Sequence, residues 1–117
     1  MNELNISIDK NSYQPREQVQ GSIRWQLIKP PKEIFLQIGW QTEGRGTQDN
    51  RVEYEQIFIT DSHSGTENFY YELPASPYSF SGKLIELNWF IVAYTKKGKV
   101  QTSTDIIVAP GRVAVTI

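Results

Sequence analysis

One stretch constrains the fold more than any other: residues 81–97, SGKLIELNWFIVAYTKK. Ile85, Leu87, Trp89, Ile91 and Ala93 occupy alternate positions, and all five are apolar. Side chains alternate sides along a strand, so these five line one face of a long strand set against a core. The opposite face begins polar with Glu86 and Asn88, then turns apolar at Phe90, Val92 and Tyr94. An edge strand this long and apolar would invite pairing with another chain. The stretch therefore predicts a central strand.

The rest of the chain keeps the same period. Leu4, Ile6 and Ile8 alternate with polar residues and predict a first strand over 4–9. Lys10 to Glu17 is turn chemistry, with Pro15 restricting Gln14. Val19, Gly21, Ile23, Trp25 and Leu27 face away from Gln18, Gln20, Ser22, Arg24 and Gln26, one side buried and the other in water. Lys29-Pro30-Pro31-Lys32 stops that strand, because proline cannot donate to a ladder. Ile34, Leu36, Ile38 and Trp40 supply the next inward face, and Val52, Tyr54 and Phe58 continue it. Ile57 and Ile59 sit out of phase, which predicts a bulge near Gln56. Phe69, Tyr71 and Leu73 form a short strand ended by Pro74. The central strand turns at Lys96-Lys97-Gly98-Lys99 into a return strand over 100–108, and residues 113–115 are a last strand or a tail.

No window keeps a helical i, i+3, i+4, i+7 apolar pattern. The expected fold is therefore all-β: an antiparallel two-sheet sandwich, immunoglobulin-like, of about seven or eight strands. Residues 1–117 form a single domain, with a core over 4–109 and a short last strand or tail over 112–117. Trp25, Trp40 and Trp89 all fall on inward phases and are expected to meet between the layers.

Composition narrows the function. A formal charge of -1 argues against a general nucleic-acid binder, which needs clustered cations, and gives no attraction to anionic membranes. The absence of cysteine removes disulfides, a thiol nucleophile and thiolate metal sites. No segment has the run of apolar residues a membrane helix needs, and MNELNISIDK lacks the apolar centre of a signal peptide. A cytoplasmic location is expected.

Groups that could carry chemistry are few. His63, the single histidine, lies in the polar loop 61–65 beside Asp61 and Ser64, with no paired base or nucleophile in sequence. Glu53 and Glu55 share a strand face as acid pairs do, yet such carboxylates usually face water or a cross-strand lysine. Residues 49–55 lack EF-hand spacing for calcium. Asn5-Ile6-Ser7 matches a glycosylation sequon but falls inside a strand. Lys96, Lys97 and Lys99 at one hairpin tip serve solubility or touch an anion. No catalytic, metal or cofactor residue is assigned, and the chain is expected not to be an enzyme.

The feature least explained by a monomer is the off-phase set Phe90, Val92 and Tyr94, with Phe35, Ile57 and Ile59 as neighbours. On the outer face of one sheet they form a partner surface, unless residues 113–117 or a bulge cover them. The partner would be another protein or a second copy of this chain. A small-ligand site for sugar or metal, built from the loops 44–50 and 61–65, is the alternative.

Three places give the chain a family likeness. The opening Tyr13-Gln14-Pro15-Arg16-Glu17, followed by Val19-Gln20-Gly21, is one. The strand over 33–40 after its basic-proline break is the second. Leu73-Pro74 and then Pro77-Tyr78-Ser79-Phe80-Ser81-Gly82-Lys83, just ahead of the central strand, is the third. Together they resemble the N-terminal-type domain of the arrestin superfamily. The resemblance implies an arrestin-like sandwich and a non-catalytic protein-binding or scaffold role. Family members that bind receptors or cargo usually have two such domains, and the chain has room for one. Their buried phosphate-sensing network matches no position here, so phosphoreceptor binding is not implied. Arg16 stands where the family usually has glycine, and arginine favours a type I turn over the type II turn that glycine permits.

Overall fold

The computed structural model describes residues 2–44, 48–82, 85–96 and 100–116. Ten strands follow one another: β1 Glu3–Ile8, β2 Ser12–Tyr13, β3 Gln18–Gln26, β4 Lys32–Gly44, β5 Asn50–Thr60, β6 Ser64–Glu72, β7 Phe80–Ser81, β8 Ile85–Thr95, β9 Gln101–Val108 and β10 Val115–Thr116. Seven have six residues or more, matching the strands that alternation predicts. The other three are two-residue pairings; β10 falls within the last strand or tail expected over 112–117, while β2 and β7 are too short for a period to reveal. A 3-10 turn lies at Pro110–Arg112.

The strands make two layers. The smaller sheet runs β1-β3-β6, antiparallel throughout. In the larger sheet β8 is central, as its apolar run predicts. β8 pairs β4 along one side, and its other side is shared by β9, from Trp89 to Tyr94, and by β7, at Glu86 and Leu87. β5 continues the sheet beyond β4, while β2 and β10 add short parallel pairings to β9 and β7.

The inward phases meet in one core. Val19, Ile23, Ile34, Leu36, Ile38, Trp89, Ile91 and Ala93 are fully buried. At roughly 25 cal/mol per Å² of apolar surface removed from water, this burial is the main force holding the layers together. All three tryptophans face it, though unequally. Trp25 and Trp89 are buried, while Trp40, directly across from Trp89, is half-buried at the rim. Each indole N–H has an acceptor: Trp25 donates to the Ser62 carbonyl, Trp89 to that of Pro77 and Trp40 to Glu53. Gly21 is where two backbones close in, since a Cβ there would lie 2.4 Å from the carbonyl oxygen of Ser7 on β1.

Two local expectations are corrected. The bulge lies at Glu53, not near Gln56: Ile38 pairs Tyr54 while Gly39 pairs Val52, leaving Glu53 as the extra residue. Its cause sits on the neighbouring strand. A Cβ on Gly39 would lie 2.2 Å from the Arg51 carbonyl oxygen, so only glycine lets β5 press in there. The turn at Pro15 is the second correction. Glu17 N–H donates to the Gln14 carbonyl at 3.1 Å, and Arg16 has φ 67, the left-handed geometry of a type II turn rather than type I. Long-range contacts hold it: Arg16 N–H donates to the Pro74 carbonyl, Leu73 N–H donates to that of Glu17, and the Glu17 carboxylate binds Lys10 and Arg112.

Candidate functional site

Register determines what shares the outer face of the larger sheet. Across β5, β4 and β8 one row is Ile57, Phe35 and Tyr94. The next is Glu55, Gln37 and Val92, and the third is Val52, Gly39 and Phe90. Phe90, Val92, Tyr94 and Phe35 therefore do come together, with Ile57 beside them and Ile59 one row beyond. The Phe35 and Tyr94 rings stack with centroids 5.1 Å apart and planes 14° from parallel. Gln37 ties the strands, donating to Glu55 at 2.6 Å and to the Tyr94 hydroxyl at 3.1 Å.

The four aromatic and aliphatic anchors on β4 and β8 are half-buried, and the β5 residues are more open: Ile57 is 46% exposed and Ile59 84%. The described part of the tail lies elsewhere. β10 pairs β7 at the opposite side of β8, near Leu87. Around the apolar centre the same face carries Glu33, Glu43, Glu55, Glu86 and Asp105. Glu43 and Glu86 stand directly opposite each other, an arrangement that like charges disfavour. None of the five carboxylates is in an ion pair among the described residues.

The remaining candidates disperse. The bulge turns Glu53 to the inner side, against the Trp40 indole and the Arg51 guanidinium, while Glu55 stays outside. The two do not share a face, contrary to the alternation before the bulge. His63 is exposed; its ring Nδ1 lies 3.3 Å from the Leu27 carbonyl oxygen, and its own carbonyl accepts from Leu27 N–H. Among the described residues no three acidic or histidine side chains gather as a metal site. Lys97 and Lys99 lie outside the described residues.

Of the loop 44–50 offered for a small ligand, residues 45–47 lie outside the described residues; its described ends and the loop 61–65 flank opposite ends of β5, about 33 Å apart at the rise of an extended strand. A cleft of about 480 Å³ at the sandwich end is lined by Leu27, Ile28, Pro31, Thr95 and Val100, and draws on neither loop. Between the layers, Tyr54 and Tyr71 stack at 4.7 Å, and burial raises both phenols above their ordinary pKa. Burial first, then the hydrogen bond to Asp9, likewise raises Tyr13, whose hydroxyl lies 2.7 Å from that carboxylate. These are structural phenols. The acidic rim is what reading strands singly missed, since Glu43, Glu86 and Asp105 join one face only once the pairings are known.

No family model and no curated protein matches the chain. Among solved structures, it is similar to Spo0M, a sporulation control protein from Bacillus subtilis, with a TM-score of 0.67 and 18% identity over 93% of this chain and 49% of that one. This likeness shows that the chain shares the sandwich fold of the part of Spo0M that it matches. The chain spans about half the length of Spo0M. A weaker likeness, TM-score 0.50 at 9% identity, covers 97% of this chain and 16% of a β-glucosidase from Listeria innocua in complex with gluconolactone. At these identities the likenesses show fold alone. Among the described residues no helix is long and apolar enough to cross a membrane.

Proposed function

We propose that the chain is a non-catalytic regulatory module, a member of the arrestin superfamily that binds a protein partner in the cytoplasm. The observation that carries this reading is the outer face of the larger sheet, where Phe35, Phe90, Val92 and Tyr94 form an apolar centre inside a carboxylate rim. Anchors of this kind bind by filling pockets with desolvated aromatic and aliphatic groups, while rim charges steer the encounter. The partner segment that fits carries its own apolar anchors flanked by lysine or arginine, which would relieve the opposed Glu43 and Glu86. A control role agrees with the printed description of Spo0M, and a scaffold role agrees with the engagement of His63 and Glu53 in structural contacts.

The test is comparative capture from the native cell. The wild-type chain and a Tyr70→Ser variant, altered on the other sheet, should retain the same protein, and Phe90→Ser should lose it. Equal retention by all three would count against the outer face.

A further inference from the structure

We infer that a second copy of this chain docks along the free edge of β5, pairing antiparallel about a two-fold axis at Ile57. This concerns the strand edge and stands apart from the face reading above. β5 is hydrogen-bonded to β4 alone among the described strands, so its other side presents unpaired N–H and C=O groups. Exposed edges are normally blunted by shortness, proline, lysine or a bulge. β5 has eleven residues and no proline or lysine. Its charges and its bulge all lie in the first half, at Arg51, Glu53 and Glu55. From Gln56 to Thr60 there is no charge, and Ile57 and Ile59 stand exposed.

Of the other edges, β9 is free over Gln101–Ile106, carries Asp105 there and is closed at Ile107 and Val108 by β2. β6 carries Glu67 and Glu72 and runs into Pro74, and β1 is polar on its outer face and runs into Asp9 and Lys10.

The geometry selects the register. The regular part of β5 is bounded by the bulge at Glu53 and the loop at Asp61, leaving Tyr54 to Thr60 as an unbroken ladder. A two-fold antiparallel pair of that stretch centres on its middle residue. Ile57 then meets Ile57 of the second copy, and Ile59 lies over Glu55 of the second copy. Sliding the axis by one residue to Phe58 would set Glu55 against Asp61, and like charges directly opposite disfavour pairing. A shift to Gln56 would run the ladder into the bulge. In the favoured register the two larger sheets join into one, and their apolar outer faces become neighbours.

Sedimentation velocity on the full chain from about 1 μM to about 1 mM should show the monomer giving way to a dimer, since edge pairing over seven residues belongs to the weak, transient class. Ile57→Lys with Ile59→Lys should raise the dissociation constant at least tenfold while leaving the far-UV spectrum unchanged, because both side chains are exposed. Position-specific crosslinking reads the register independently of that variant, in a chain with no cysteine of its own. Directly opposed antiparallel residues have Cα atoms about 4.5–5.5 Å apart, within disulfide reach. Ile57→Cys should therefore link to itself on mild oxidation. Ile59→Cys should not, because its symmetry mate lies about 13 Å along the strand. A monomer throughout the range, a dimer indifferent to the two lysines, or equal linking at both cysteine positions would overturn the inference.

Discussion

The two sheets bury their inner faces alike but present opposite outer faces. The outer side of β3 is Gln18, Gln20, Ser22, Arg24 and Gln26, flanked by Asn5 and Ser7 on β1 and by Asn68 and Thr66 on β6. Its one large aromatic is Tyr70, standing alone and 69% exposed. The outer side of β4 and β8 gathers Phe35, Phe90, Val92 and Tyr94, with Ile57 and Val52 from β5. Solitary apolar residues on a surface are ordinary, whereas a contiguous set marks a site of contact. The same alternation thus builds a polar face on one layer and a contiguous apolar face on the other, the one proposed for docking.

Substitutions at matched positions should break this contrast or sharpen it. The largest effect is expected at Gly39, where valine must displace the Arg51 carbonyl: a loss of about 2–3 kcal/mol in chemical unfolding, against at most about 0.5 for Ser22→Val on the polar face. Next, Phe35→Ala with Tyr94→Ala removes the stack and should cost about 1–2 kcal/mol of stability and at least tenfold in partner affinity. Tyr70→Ala should change neither, as titration calorimetry with the captured partner would read. Arg16→Gly relieves a left-handed arginine and should add about 1 kcal/mol, seen as a raised melting temperature without loss of binding.

The smallest effect is a pH slope at the Pro15 turn. The Lys10 ammonium first, then the Gln14 amide and the Arg112 guanidinium, hold the Glu17 carboxyl down at about 2. A carboxyl lowered in the folded state contributes stability that is complete above its unfolded value of 4.5 and is lost as pH falls from there towards 2. Melting temperature should decline across that window, and Glu17→Gln should flatten the decline.

Much of this was legible before any pairing was known. Period-two alternation is a local signal, and it marked β3, β4, β8 and β9 with their inward residues. It also marked Phe90, Val92 and Tyr94 as a second apolar face, because that face belongs to the same strand. What escaped notice depends on neighbours. The bulge belongs to β5, but the residue that permits it is Gly39 on β4, an interior strand glycine whose meaning is close approach. The Arg16 turn escaped because Pro74 and Arg112, remote in sequence, help Lys10 hold it against arginine's own preference. Buried Ser79 is a similar case, its hydroxyl accepting from Val108 N–H at 2.9 Å across twenty-nine positions. The acidic rim needed the pairing of β4 with β8 before Glu43 and Glu86 could be seen to face each other.

The most direct test of the docking face is amide chemical-shift mapping of the isotope-labelled chain as the captured partner is titrated in. The account predicts shifts concentrated on β4 and β8 around Phe35, Phe90, Val92 and Tyr94, with Ser22, Asn68 and Tyr70 unmoved. Shifts centred on the smaller sheet, or on the loop at His63, would contradict it.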